Sequence, residues 1–270
     1  MSDEPGLAFD RVAEDYDRVR RGYPEELVEA ACEIAGLSEN SYVVEVGCGT
    51  GKLTRVLAER GLRVEAIDPG AQLVQVARRH VEGSAVRFHI SRFEDLDLPA
   101  GAFAAVFSAT AFHWVDPAVG WSKVARLLRP GGTLALLAHT IELDPEMLAT
   151  WREMVTEAAA WVSRDERTLL EGAEARKGNV SQLWAWLVKR DIARPEAAKL
   201  FRDVHLDTVQ IEKREAVAEV LAQIRTESAY LRLDGERQLQ LEERIRAVIE
   251  NMGGTYRPTL FTVLATARRA

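Results

Sequence analysis

The sequence predicts an α/β fold, with a mostly parallel sheet covered by helices on both faces. Three observations predict it. Short apolar runs alternate with helix-patterned segments from Tyr42 onward. Glycine and proline signals punctuate them, at Gly61 and at Pro130-Gly131-Gly132. The 270 residues carry 47% hydrophobic and 29% charged side chains, an ordinary globular balance able to fill a sizeable core. Strands alternating with helices imply parallel pairing through right-handed crossovers.

Phe9, Val12, Tyr16 and Val19 share one face at helical spacing, so the chain should open with a helix. A second helix is expected from Pro24 to Ile34, with Pro24 in its first turn and Gly36 at its end. Tyr42 to Val46 reads as the first strand. Leu53, Val56 and Leu57 mark a helix stopped by Gly61, and Leu62 to Ile67 is the second strand. Leu73, Val74 and Ala77 mark the next helix, followed by strands at Val86 to Ile90 and Ala104 to Ser108. Val124, Leu127 and Leu128 form a helix face that Pro130-Gly131-Gly132 should end, before a fifth strand from Thr133 to Ala138.

After His139 the pattern changes. Residues 143 to 202 hold Trp151, Trp161, Trp184 and Trp186 and little strand signal, which reads as a helical insertion. Strand signal returns at Val204 to Ile211. Two helix faces follow, one with Val217, Val220, Leu221 and Ile224, the other with Leu241, Ile245 and Val248. A last strand runs from Thr259 to Ala265. The expected organisation is therefore N-terminal helices and an α/β core over 1–140, a helical insertion or cap over 141–203, and closing strands and helices over 204–270.

The net charge of −7 argues against a general nucleic-acid binder. Two cysteines, Cys32 and Cys48, make neither a disulfide framework nor a thiolate zinc site, and no metal is expected. Met1 to Pro5 is acidic without an apolar core segment, against a secretory signal, and no apolar run is long enough to span a bilayer. A cytoplasmic setting without membrane partners is the expectation.

The most telling segment is Val43-Val44-Glu45-Val46-Gly47-Cys48-Gly49-Thr50-Gly51-Lys52. A helix that starts behind a strand offers free N–H groups, and glycines let a ligand approach the backbone. A phosphate-cradling P-loop ending at Gly51-Lys52 would need glycine at Val46 and a hydroxyl at Leu53, so it is set aside. A dinucleotide fingerprint fits Gly47 and Gly49 but meets Lys52 at its third glycine, which weakens that reading.

The remaining pattern is Glu45-x-Gly47-x-Gly49-x-Gly51, with Asp68 closing the second strand. It resembles the class I S-adenosylmethionine-dependent methyltransferases. Ser91-Arg92-Phe93-Glu94-Asp95-Leu96 looks like that family's adenine-binding segment, with Arg92 where the family often has an acid or serine. Ala109-Thr110-Ala111-Phe112-His113-Trp114 resembles its segment after the fourth strand, and Leu127 to Gly132 its turn before the fifth. Tyr16 to Pro24 is similar to the trans-aconitate methyltransferase group of small-molecule enzymes, with Arg21 in place of a proline. The likeness covers residues 8 to 140, and more loosely Arg225-Thr226-Glu227-Ser228 and the last strand.

The resemblance implies a seven-stranded Rossmann-like sheet with the last strand antiparallel, and S-adenosyl-L-methionine as cofactor. It implies that the glycine turn faces the methionine part, that Asp68 binds the ribose hydroxyls, and that the Ala109 carbonyl meets the methionine amino group. The residues carried over to the cofactor are Tyr16, Arg20, Glu45, Gly47, Cys48, Gly49, Asp68, Pro69, Leu73, Phe93, Glu94 and Ala109.

Several have a plainer alternative. Tyr16 shares a face with Phe9 and Val12 and could be core; Arg20 could be a solvated charge; Cys48 could be a small packing residue. The four tryptophans read as core, with a substrate roof as the functional alternative. His113 follows the fourth strand at the ligand-binding edge of an open sheet, so it is the catalytic candidate for taking a proton from an acceptor; otherwise it packs on Trp114. The expected function is methylation of a small molecule on a carboxylate or hydroxyl oxygen. N- or C-methylation, a nicotinamide-dependent oxidoreductase and a non-catalytic cofactor-binding protein stay open.

Overall fold

In the computed structural model the described residues are 5–157 and 199–270. Trp161, Trp184, Trp186 and most of the expected cap over 141–203 lie outside them.

Five strands alternate with helices in the first half: β1 (Tyr42–Val46), β2 (Arg63–Asp68), β3 (Val86–Ile90), β4 (Phe103–Ala109) and β5 (Leu128–Glu142). The second half supplies β6 (Phe201–Glu212), a short pair β7 (Glu215–Ala216) and β8 (Thr255–Tyr256), and β9 (Thr259–Arg269). Seven of these form one sheet in the order β3-β2-β1-β4-β5-β9-β6. β1 to β5 pair in parallel, while β9 is antiparallel to both β5 and β6. Six strands therefore run one way and the last of the chain runs the other. The strand order reverses between β1 and β4, which opens a crevice at their carboxyl ends.

Period-two alternation divides the core between the two faces. Val43, Val64, Ala105, Phe107 and Leu137 face α2 (Glu25–Ile34) and α3 (Lys52–Glu59). Val44, Ile67, Val106 and Leu134 face α5 (Pro117–Leu127), through Trp121, Val124 and Leu127. The start of α5 is written locally: Asp116 accepts a hydrogen bond from the Ala118 N–H at 2.9 Å, and Pro117 needs no partner in the first turn. A further apolar layer joins Met147 and Met154 of α6 (Pro145–Glu157) to α7 (Val217–Ile224) and α8 (Gly235–Asn251).

Two element expectations are corrected. The opening helix is broken: a 3₁₀ segment, Pro5–Val12, precedes α1 (Ala13–Val19). The break lets Asp10 turn toward α4 (Ala71–His80), where its carboxylate accepts the Gln72 and Leu73 N–H groups at 2.6 and 3.0 Å. The other concerns Pro130-Gly131-Gly132, which does not end α5. That helix stops at Leu127, and Leu128 already pairs with Phe103, both side chains fully buried. The register then shifts, so residues 129–132 loop out before Ala105 pairs with Thr133, and Gly131 takes a φ of +69° to make the loop.

Candidate functional site

The carboxyl ends of β1, β2, β4 and β5 open into one cavity of about 490 Å³, within the range of small-ligand sites. Every residue carried over to the cofactor from Tyr16 to Ala109 lines it, and so does His113.

Its floor is the glycine turn. Gly47, Gly49 and Gly51 all have positive φ (+73°, +52° and +83°). At Gly47 the requirement is doubled, because a Cβ there would lie 2.2 Å from the Ala111 Cβ. The missing side chain is what lets the turn after β1 and the segment after β4 close on each other. Lys52, which spoiled the dinucleotide spacing, points back into the protein: its ammonium donates to the Asp17 carbonyl at 2.8 Å and sits 3.4 Å from the Asp17 carboxylate.

Asp68 ends β2 with only 7% of its surface exposed. One carboxylate oxygen accepts the Gly70 N–H at 2.8 Å, the other the Gly49 N–H at 2.9 Å. Each oxygen keeps a lone pair for a ligand hydroxyl. Burial pushes its pKa up to about 6, against the pull of these two N–H groups. Glu45 is more extreme. It is 1% exposed, its Oε2 has no hydrogen-bond partner, and burial raises its pKa to about 8. A buried carboxyl group with an unmet oxygen facing a cavity is a site for a polar ligand atom.

The N-terminal segment closes one side. Tyr16 packs edge-on against Phe9 with ring centroids 5.6 Å apart, and the Arg20 guanidinium lies 5.4 Å from the Tyr16 ring centre. Arg20 is not a solvated charge: it pairs with Glu227 at 2.7 Å and donates to the Thr226 hydroxyl and carbonyl at 2.9 and 3.0 Å. Its guanidinium is thus matched inside the chain by the segment Arg225 to Ser228. Phe93 is buried, and Lys123 braces the adenine-segment likeness by donating to the Glu94 carbonyl at 2.9 Å. Cys48 is 5% exposed and burial pushes its thiol pKa well up, which suits packing and not reactivity.

His113 is half-buried, with its ring 4.9 Å from that of Trp114, and burial lowers its pKa to about 4. It is a neutral imidazole at physiological pH.

Sequence reasoning missed Tyr23, Thr110, His139 and Glu227, all of which line the cavity. Thr110 stood inside a segment already singled out, but its φ of +53° has no signature in the sequence. Trp151 packs against the apolar layer of α6, α7 and α8 and also lines the same cavity, as does Leu148. The other three insertion tryptophans lie outside the described residues.

A methyltransferase-domain family profile matches residues 44–136. An uncharacterized methyltransferase of Mycobacterium tuberculosis (strain ATCC 25618 / H37Rv) is 38% identical over 134 residues, which are 50% of this chain and 53% of that protein. The chain thus spans about half the length of that relative. An uncharacterized methyltransferase of Geobacillus kaustophilus is 32% identical over 165 residues, 56% of this chain and 73% of that protein. Among solved structures, a provisionally assigned type II methyltransferase from Anaeromyxobacter dehalogenans superposes with a TM-score of 0.61 at 24% identity, over 92% of this chain and 97% of that one. Neither relative carries the trans-aconitate name, so the narrower group suggested by Tyr16 to Pro24 is not established. The sheet order, the glycine turn with its strand-end acid and these relatives agree, and the chain belongs to the class I S-adenosylmethionine-dependent methyltransferase family.

Proposed function

We propose that the protein transfers a methyl group from S-adenosylmethionine to an oxygen, hydroxyl or carboxylate, of a small molecule. One observation carries this reading: the cavity is continuous from the glycine turn and Asp68 to an apolar recess lined by Ile141, Leu143, Leu148 and Trp151. Donor half and acceptor half share one volume.

The residues fit the cofactor on three counts. A Cβ at Gly49 would meet no protein atom within 4 Å, so the turn is open there. Asp68 keeps an open lone pair on each oxygen beyond its two backbone bonds, as two ribose hydroxyls require. Glu45 offers a buried oxygen without a partner. When bound, S-adenosylmethionine supplies a methyl group already activated on a sulfonium. The chain's part is to fix position and exclude water. Phe9, Tyr16 and Trp114 form an apolar wall in edge-to-face contact, and Ile141, Leu148 and Trp151 line the recess. His113 is the proton acceptor in this reading. As a neutral imidazole it can take a hydrogen bond from an acceptor hydroxyl, and the burial that disfavours its charged form keeps it a weak base.

Calorimetric titration with S-adenosylhomocysteine tests the donor half. The wild-type protein should bind, and Asp68→Ala should weaken binding at least tenfold, since two hydroxyl contacts to a buried carboxylate are lost. Wild-type protein that does not bind ends the methyltransferase reading; unchanged affinity in the variant ends the ribose assignment.

A further inference from the structure

Beside the donor half, the cavity wall carries a connected polar array that the cofactor reading leaves unused. The Tyr23 hydroxyl lies 3.0 Å from the Thr110 hydroxyl. The Tyr23 ring stacks flat on the His139 imidazole, with centroids 4.6 Å apart and planes 2° from parallel. His139 Nδ1 lies 2.9 Å from the hydroxyl of Thr262, which is itself 1% exposed. The four residues come from the segment before α2, the end of β4, β5 and β9, so the fold assembles them from four places.

Thr110 shows that the array is held in place. A β-branched residue at a φ of +53° is strained, and it persists only where its surroundings impose it. Here its N–H is tied to the Leu137 carbonyl at 2.8 Å. Its hydroxyl is thereby presented to Tyr23 at the end of β4.

The charges nearby narrow the ligand. Among the described residues, four cationic side chains line the cavity, Arg20, Arg21, Lys52 and Arg92. Each already faces a carboxylate: Glu227, Glu215, Asp17 and Glu94 respectively. An anionic acceptor would have to compete for them. Burial also raises the Tyr23 pKa, so the residue stays a neutral phenol that can both donate and accept. The hydrogen bond between two hydroxyls consumes one proton, which leaves one donor and spare lone pairs, the complement of a single ligand hydroxyl. The adjoining walls, Ile141, Leu148 and Trp151, are apolar.

We propose that the Tyr23–Thr110 hydroxyl pair is the docking point of the methyl acceptor, that the acceptor is an uncharged, phenol-like molecule with its hydroxyl on that pair, and that His139 is the positioning residue that sets the Tyr23 ring. The proposal rests on the methyltransferase reading above and narrows its acceptor to one class.

The test uses the full chain saturated with S-adenosylhomocysteine and three probes of similar size: 4-ethylphenol, 4-ethylanisole, in which the hydroxyl is capped, and 4-ethylbenzoate, which is charged. Calorimetry should show 4-ethylphenol binding at least tenfold tighter than either of the others. Tyr23→Phe keeps the stack and loses the hydroxyl. It should weaken 4-ethylphenol about tenfold, abolish its preference over 4-ethylanisole, and leave S-adenosylhomocysteine affinity unchanged. Thr110→Ala should act in the same direction, and Thr110→Ser should restore binding. His139→Ala should weaken 4-ethylphenol in the wild-type background but add little to Tyr23→Phe, because it acts through that hydroxyl. Wild-type protein that binds S-adenosylhomocysteine but not 4-ethylphenol, or that binds phenol and anisole equally, overturns the proposal. So does Tyr23→Phe with unchanged phenol affinity, or His139→Ala with an additive loss. Failure to bind S-adenosylhomocysteine is a separate result and falls on the donor reading.

Discussion

Glu45 concentrates the tension between folding and binding in one side chain. An acid in the first strand is buried to 1% exposure with an unmet oxygen, and its pKa stands at about 8. In the unfolded chain a glutamate titrates near about 4.3. Between these values the folded state holds the extra proton, so stability falls as pH rises. Asp68 adds a slope of the same sign that ends near its value of about 6. His113 and His139, both lowered to about 4, act oppositely, and their effect fades above about pH 6.5 as the unfolded imidazole finishes titrating. Between about pH 6.5 and pH 8 Glu45 is therefore the larger contribution, partly offset by the two histidines. Calorimetric melting of the ligand-free protein should show a loss on the order of 1 kcal/mol across that range. Glu45→Gln should remove that loss. A variant with the same slope as wild type would mean that Glu45 is already ionised in the folded state.

Among the elements, the N-terminal segment is read least completely from sequence. Its apolar spacing called for one helix, and the structure divides it into a 3₁₀ segment and α1. The cause is a tertiary hydrogen bond. Asp10 serves as the cap of α4, whose own N-cap is Gly70 and has no side chain to offer. Asp17 reaches His80 at 2.8 Å and Lys52, while Arg20 reaches Glu227. These contacts strap the segment over the cavity. Asp10→Ala should cost about 1 kcal/mol, the usual worth of an N-cap. It should also speed hydrogen exchange selectively in residues 8–20 and at the start of α4. Exchange that changes equally throughout the sheet would mean that the cap is not local.

For the molecule as a whole, the cavity lies between separate apolar layers. The two sheet faces carry their own cores, and α6, α7 and α8 form a third. A ligand that binds only the folded state stabilises all of them together. S-adenosylhomocysteine at a hundredfold excess over its Kd should add about 2.7 kcal/mol and raise the Tm by about 5–10 °C. No shift under saturation would contradict binding in this cavity.

What the sequence determined by itself is the glycine turn, the acid that closes the second strand, and the sheet that carries them. Glu45, Gly47, Gly49, Gly51 and Asp68 lie within 24 consecutive residues. Their placement follows from local rules: strand periodicity, positive φ at glycine, and an acid where the next strand ends. Burial then follows from the same alternation that revealed the strands. What only the tertiary structure decided is the set of long-range contacts around the rest of the cavity. Tyr23 meets Thr110 across 87 residues, His139 meets Thr262 across 123, and Arg20 meets Thr226 across 206. No spacing rule reaches so far, because these contacts are set by strand order. β9 turns back antiparallel against β5 and brings Thr262 opposite His139. His113, legible in sequence, lies in the cavity, but the hydroxyl pair in that cavity exists only once the N-terminal segment is laid across the end of β4.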